Sequence, residues 1–180
     1  MSSLRLISFN SLSKKQIMRA FWVAFALVVL ITIVFGFTGI PLNTDAAPSG
    51  IISFELAGSA VRVEEIFSSW DSSARERAAF NLGLDFLFIP AYVSAVIIGI
   101  HLAAEKVQGR FSAWCSWLTG GVFLAGLLDI IENIALLTIL FQSPTAPWPI
   151  IAKFCAIPKF TLIFMGIIYA LMGAVSKKKV

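Results

Sequence analysis

Histidine occurs once in this chain and cysteine twice, so two families of chemistry drop out before anything else is considered. A catalytic zinc site built on several histidines is excluded, because His101 is the only one and oxygen-only side chains suit hard ions rather than zinc. No histidine is placed to activate a serine or cysteine nucleophile, and no glycine-rich phosphate loop or nucleophile elbow is present. Cys115 and Cys155 provide no disulfide framework; a four-span topology puts them on opposite faces of a membrane, as two buried thiols. Charge is scarce as well. Only 13% of residues are charged against 58% hydrophobic, a balance that no water-facing surface tolerates. Ten-residue alternating segments of the kind that build membrane β-barrels are absent, as are internal repeats and low-complexity tracts.

What the chain does have is length of apolar sequence. Four stretches, about 17–40, 79–102, 111–141 and 158–175, each approach or exceed the roughly 20 residues a helix needs to cross a hydrocarbon core. The expected fold is therefore an all-α membrane protein, one domain over 1–180 with four transmembrane helices. Lys14, Lys15 and Arg19 ahead of the first stretch, with Ala46 and Ala47 after it, imitate a secretory signal. The apolar run exceeds the 7 to 15 residues or so of a signal core, so an uncleaved first helix is expected.

The net charge of +4 is a matter of topology, not of nucleic acid. Arg5, Lys14, Lys15, Arg19, Lys106, Arg110 and Lys177 to Lys179 share one side of the four-span arrangement. Arg62, Arg75, Arg77 and Lys153 lie on the other, diluted by Asp45, Glu55, Glu64, Glu65, Asp71 and Glu76. The positive-inside rule then predicts a multi-pass plasma (inner) membrane protein with both termini cytoplasmic.

Between the first two spans, residues 51–70 place Ile52, Leu56, Val63, Ile66, Phe67 and Trp70 toward one side and Glu55, Arg62, Glu65 and Ser69 toward the other. That pattern predicts an amphipathic helix lying in the outer interface or capping the bundle. Ser73 and Glu76 have capping-box spacing, so the second membrane helix is expected to begin near 73, outside the bilayer. Pro90 frees the carbonyl of Phe86 beside Asp85. Pro144, Pro147, Trp148 and Pro149 read as a stiff outer loop over 142–157.

Three carboxylates interrupt the apolar stretches: Asp85 in the second, Asp129 and Glu132 in the third. An ionised carboxylate at mid-bilayer costs roughly 2.5 to 3.5 kcal/mol on insertion scales, so each marks a candidate site. Helical spacing aligns Asn81, Asp85, Phe88 and Tyr92 on one face, and Gly126, Asp129, Glu132 and Asn133 on another. Counting residues at 1.5 Å each puts Asp85 and Glu132 at a common level, roughly 9 to 14 Å below the outer ends of their helices. Lys159 reaches that level only if the fourth helix begins several residues before Pro158; otherwise it snorkels from a first turn to the interface. His101 and Glu105 form an i, i+4 pair at the cytoplasmic end.

The candidate ligand-binding set is thus Asn81, Asp85, Tyr92, Asp129, Glu132, Asn133 and Lys159, with Glu55 and Arg62 as lid contacts. No metal and no cofactor are expected. Three readings remain open. In the first the protein binds, senses or passes a small amphipathic or cationic ligand in an outer-leaflet acidic pocket. In the second, paired carboxylates act as acid and base on a lipid-soluble substrate. The third is an accessory or assembly subunit whose acids pair with a partner helix, from another subunit or a second copy. The expected partners are the lipid bilayer, that ligand or that subunit, and no nucleic acid.

Phe54-Glu55-Leu56-Ala57, Leu84-Asp85-Phe86 and Leu127-Leu128-Asp129-Ile130-Ile131-Glu132-Asn133 resemble segments of a group of small bacterial four-span membrane proteins, over about residues 51–140. This resemblance implies the fold and brings no activity with it. A more distant class analogy runs to EXPERA-type proteins, which also carry inward acids on four or five spans.

Overall fold

The computed structural model describes residues 13–106 and 114–176, and among these there are helices and connecting turns but no strands. Six helices follow one another: α1 (Lys14–Thr38), α2 (Ile51–Glu55), α3 (Ala60–Ser69), α4 (Ser72–Ala104), α5 (Trp114–Phe141) and α6 (Trp148–Val175). Four of them, α1, α4, α5 and α6, are long and apolar enough to cross a membrane. At about 1.5 Å per residue the 33-residue α4 is roughly 50 Å long, well over a bilayer core.

The starts and stops follow local chemistry, and several differ from the expected bounds. Helix α1 opens on a capping box, in which the Ser13 hydroxyl accepts from the Gln16 N–H while the Gln16 side chain accepts from the Ser13 N–H. It ends at Gly39, just before a 3₁₀ turn at Ile40–Leu42 that carries Pro41. Helix α4 begins as anticipated near 73, but its cap is Asp71, whose carboxylate accepts from the Ala74 N–H at 2.7 Å. Ser73 lies inside the first turn, so the supposed capping box is not the start signal. The start of the third span, expected at 111, falls outside the described residues as far as Ala113.

Two expectations fail outright. Residues 142–157 are not an outer loop throughout: α6 starts at Trp148, because Pro149 sits in its first turn, where a missing N–H costs nothing. Pro158 therefore lies within the helix. Residues 51–70 are not one helix either. Gly58 adopts φ +71°, a left-handed conformation that breaks the chain between α2 and α3, and the Ser59 hydroxyl then caps α3 by accepting from the Arg62 N–H at 3.2 Å.

Together α2, α3 and the 3₁₀ turn form a cap over one end of the bundle. Phe54, Val63, Ile66 and Trp70 are buried there against Ala78, Leu82, Leu136 and Ile139 of α4 and α5. The Trp70 indole N–H donates to the Leu42 carbonyl at 2.9 Å, which ties the end of α3 to the 3₁₀ turn.

Within the bundle α4 is central, packed on α1, α5 and α6. The α4–α6 approach depends on small residues: a Cβ on Gly173 would stand 2.2 Å from that of Ala103, and one on Gly166 2.8 Å from side-chain carbons of Val96 and Val122. Helix α1 is different. It leans on α4 and buries only Ala24 and Ile31.

Candidate functional site

The cap-side half of the bundle contains a charged cluster centred on Lys159. Because α6 begins eleven residues earlier, this lysine is three turns into the helix, and only 4% of it is exposed. Its ammonium donates to Asp129 Oδ1 at 2.8 Å. Glu132 Oε2 is also 2.8 Å away, out of line for a hydrogen bond, and Glu55 Oε2 is at 3.8 Å. On its other side the ammonium sits over the Phe160 ring, 4.8 Å from the centroid.

Each acid comes from a different part of the fold. Asp129 and Glu132 are one turn apart on α5 and face inward, and Glu132 is completely buried. Tyr92 on α4 donates its hydroxyl to Asp129 Oδ2 at 2.8 Å, so that Asp129 is held from both sides. Asp85, two turns toward the cap from Tyr92, accepts from the Asn133 amide at 2.5 Å. Asn81 places its Oδ1 2.5 Å from the Thr38 hydroxyl, joining α4 to the end of α1.

Glu55 enters from the cap, as the last residue of α2, with about 9% of its surface exposed. Burial holds its carboxyl above the ordinary range; the Lys159 charge pulls the other way and the Asp129 charge pushes it up. Arg62 is not part of this cluster. Its guanidinium reaches the Ala46 carbonyl and Glu65, both at 2.6 Å, on the exposed face of α3. It faces away because Val63 and Ile66 take the inward positions of α3.

Eight of the nine expected residues thus converge, with Arg62 the exception. Charge in the cluster is unequal: Glu55, Asp129 and Glu132 face a single ammonium, and Asp85 is held by the neutral Asn133 amide instead. Among the described residues no group of three histidine, cysteine or acidic side chains is arranged to hold a metal ion.

A cavity of about 1070 Å³ opens beside the cluster, between α1 and α6 with α4 as its floor. Glu55, Asn81, Asp85, Asp129, Asn133 and Lys159 lie at its cap end. Below them it is walled by Phe25, Phe35, Phe88, Ile163, Phe164 and Leu171, and it runs to Lys14 and Glu105 at the other end. Those two residues pair at 3.2 Å across the far mouth, while His101 Nδ1 lies 2.9 Å from the Ile97 carbonyl. Glu105, expected beside His101, also reaches Lys14 on α1.

No protein-family model, curated protein or solved structure matches this chain. The reading of the site therefore rests on its geometry.

Sequence reasoning put Phe88 on the face of Asp85 and Tyr92 but missed its partner in the aromatic wall, Phe35, whose ring meets that of Phe88 edge to face with centroids 5.4 Å apart. It missed Thr38 as well. Phe residues facing lipid and Phe residues facing a cleft are identical in pattern; only Thr38, a lone hydroxyl at the end of an apolar helix, carried a usable signal.

Proposed function

We propose that this protein binds an amphipathic molecule in the α1–α6 cleft, with the polar head at the carboxyl cluster and the apolar body along α4. One observation carries the reading: a single cavity of about 1070 Å³ joins the charged cluster to a long aromatic and aliphatic wall. Its size is at the upper end of the roughly 300 to 1,000 Å³ usual for small-molecule sites. A sideways opening between two apolar helices suits a ligand that arrives dissolved in lipid.

The charge distribution supports a plasma-membrane orientation with the cap outside and both termini inside. Lys14, Lys15, Arg19 and Lys106 gather at the uncapped end, whereas Arg62, Arg75 and Arg77 at the capped end are matched by Glu64, Glu65, Asp71 and Glu76. In that orientation α3, with Val63 and Ile66 inward and Arg62 and Glu65 outward, lies at the outer interface and the head site is in the outer half of the bilayer.

The other two readings fit the geometry less well. A subunit that pairs its acids with a partner helix needs them on the lipid face, but Asp129 and Glu132 are buried. An acid/base pair needs two carboxyls joined in one hydrogen-bonding network, whereas Asp85 is bonded to Asn133 and Asp129 to Lys159 and Tyr92. A polar route onward is lacking too, since Ala95, Val96 and Gly99 continue the cleft below Tyr92.

The test is saturable binding of hexadecanol to the full chain in phosphatidylcholine nanodiscs, read against empty discs. Ile163→Trp, which fills the cleft from α6, is expected to weaken it at least about tenfold. Equal uptake by protein-bearing and empty discs would sink the proposal.

A further inference from the structure

Of the four acids in the cluster, Asp85 alone makes no ion pair among the described residues, and it is only partly buried. Asn133 occupies its Oδ2. The resident ammonium is directed elsewhere, to Asp129 and Glu132. A carboxylate facing an apolar cleft without a cation is a site in want of one, because charge in a low-dielectric surrounding is costly unless paired.

A second observation is independent of that charge. Glu55 is nine-tenths buried, lines the same cleft, and its Oε2 has no hydrogen-bond partner. The Lys159 ammonium, 3.8 Å away, is beyond hydrogen-bond reach, and a buried acceptor left unpaired is costly, so the arrangement is incomplete without a donor. The third concerns the wall beside them. Phe35, Phe88 and Tyr92 line the cleft next to Asp85, with the Phe88 and Tyr92 centroids 5.5 Å apart, and aromatic faces of this kind attract cations.

We propose that Asp85 and Glu55 form the head site for a protonated primary amine carried on one long apolar chain. This rests on the cleft reading above and specifies its ligand. A primary ammonium brings the two things the site lacks, a positive charge for Asp85 and several N–H donors, one of them for Glu55 Oε2. A quaternary ammonium brings the charge without donors, and an alcohol brings a donor without the charge. The cleft continues from Asp85 to Ala103, about 18 residues of α4 or roughly 27 Å, which a chain nearly as long as the hydrocarbon core would fill.

The experiment compares hexadecylamine, hexadecyltrimethylammonium and hexadecanol binding to the full chain in phosphatidylcholine nanodiscs, with empty discs subtracted. The amine is expected to bind about tenfold or more tighter than the alcohol, with the quaternary ion between them, because hydrogen bonds to a charged group are stronger than neutral ones. Asp85→Asn should erase the difference between amine and alcohol. Phe88→Leu provides a second variant should Asp85→Asn not fold, and it should lower the affinity of both cations relative to the alcohol. Equal binding of all three probes by the wild type would overturn the amine assignment and leave the cleft reading standing. Preference for the quaternary ion over the amine would overturn the donor role of the head. No binding of any probe above empty discs would overturn both proposals.

Discussion

Lys159 Nζ lies 2.8 Å from Glu132 Oε2, on facing turns of α6 and α5, with 5% and 0% of the two side chains exposed. The ammonium is what allows this many acids to share one interior. Removing one partner of a buried pair leaves the other uncompensated, and the cost is about 3 to 5 kcal/mol. Lys159→Met should lower unfolding free energy by that amount in detergent. Adding Glu132→Gln to it should recover part of the loss; a double variant less stable than Lys159→Met would contradict the pairing.

Glu55 gives the site a pH dependence. Its folded-state carboxyl is held above the ordinary value near 4.5, chiefly by burial, so the folded protein binds the Glu55 proton more tightly than the unfolded chain does. The corresponding stability is fully present below the ordinary value and is lost as pH rises through the raised one. Glu55→Gln keeps the shape without the titration. Its stability relative to wild type should therefore rise with pH above about 4.5, then level off. Unfolding of both proteins across a pH series measures this, and parallel curves would show that Glu55 is not buried as described.

Gly173 lies tight against α4. A methyl there would stand 2.3 Å from the Ala103 Cα, a backbone atom that cannot move aside alone. Gly173→Ala should destabilise by about 1 to 3 kcal/mol, whereas Gly36→Ala, where nothing lies within 4 Å, should be neutral or slightly stabilising. Melting temperatures of the two variants decide it.

Trp70 fastens the cap. Trp70→Phe leaves the Leu42 carbonyl without its indole donor, at a cost of about 1 to 3 kcal/mol. Hydrogen exchange should quicken across 42–69 first and leave the centre of α5 protected, since the cap is joined to the rest by its own small core. Uniform loss of protection would show that cap and bundle unfold together.

Much of the site was legible before the fold was known, and the reason is energetic. Asp85, Asp129 and Glu132 are too costly inside an apolar span to be incidental, and period 3.6 put each beside its polar neighbours. Lys159 was placed only conditionally, since Pro158 reads equally well as a helix start and as a helix interior. The pattern over 51–70 puts Glu55 and Arg62 on one side and gives no weight to one glycine at positive φ, whose break separates the two. The cleft left no trace at all: helices that are apolar all round carry no periodic signal saying which face meets protein and which meets lipid.

The sequence by itself determined the four long apolar helices, their charge asymmetry and the presence of acids on inward stripes, because length and solvation energy are properties of segments. Tertiary structure decided that α6 extends far enough back to put Lys159 among those acids, that α2 delivers Glu55 to them, and that α1 stands away from α6 to open a cleft beside Asp85. Those outcomes depend on how helices rotate and lean on one another, which small residues such as Gly166 and Gly173 permit at some contacts and which no single segment encodes.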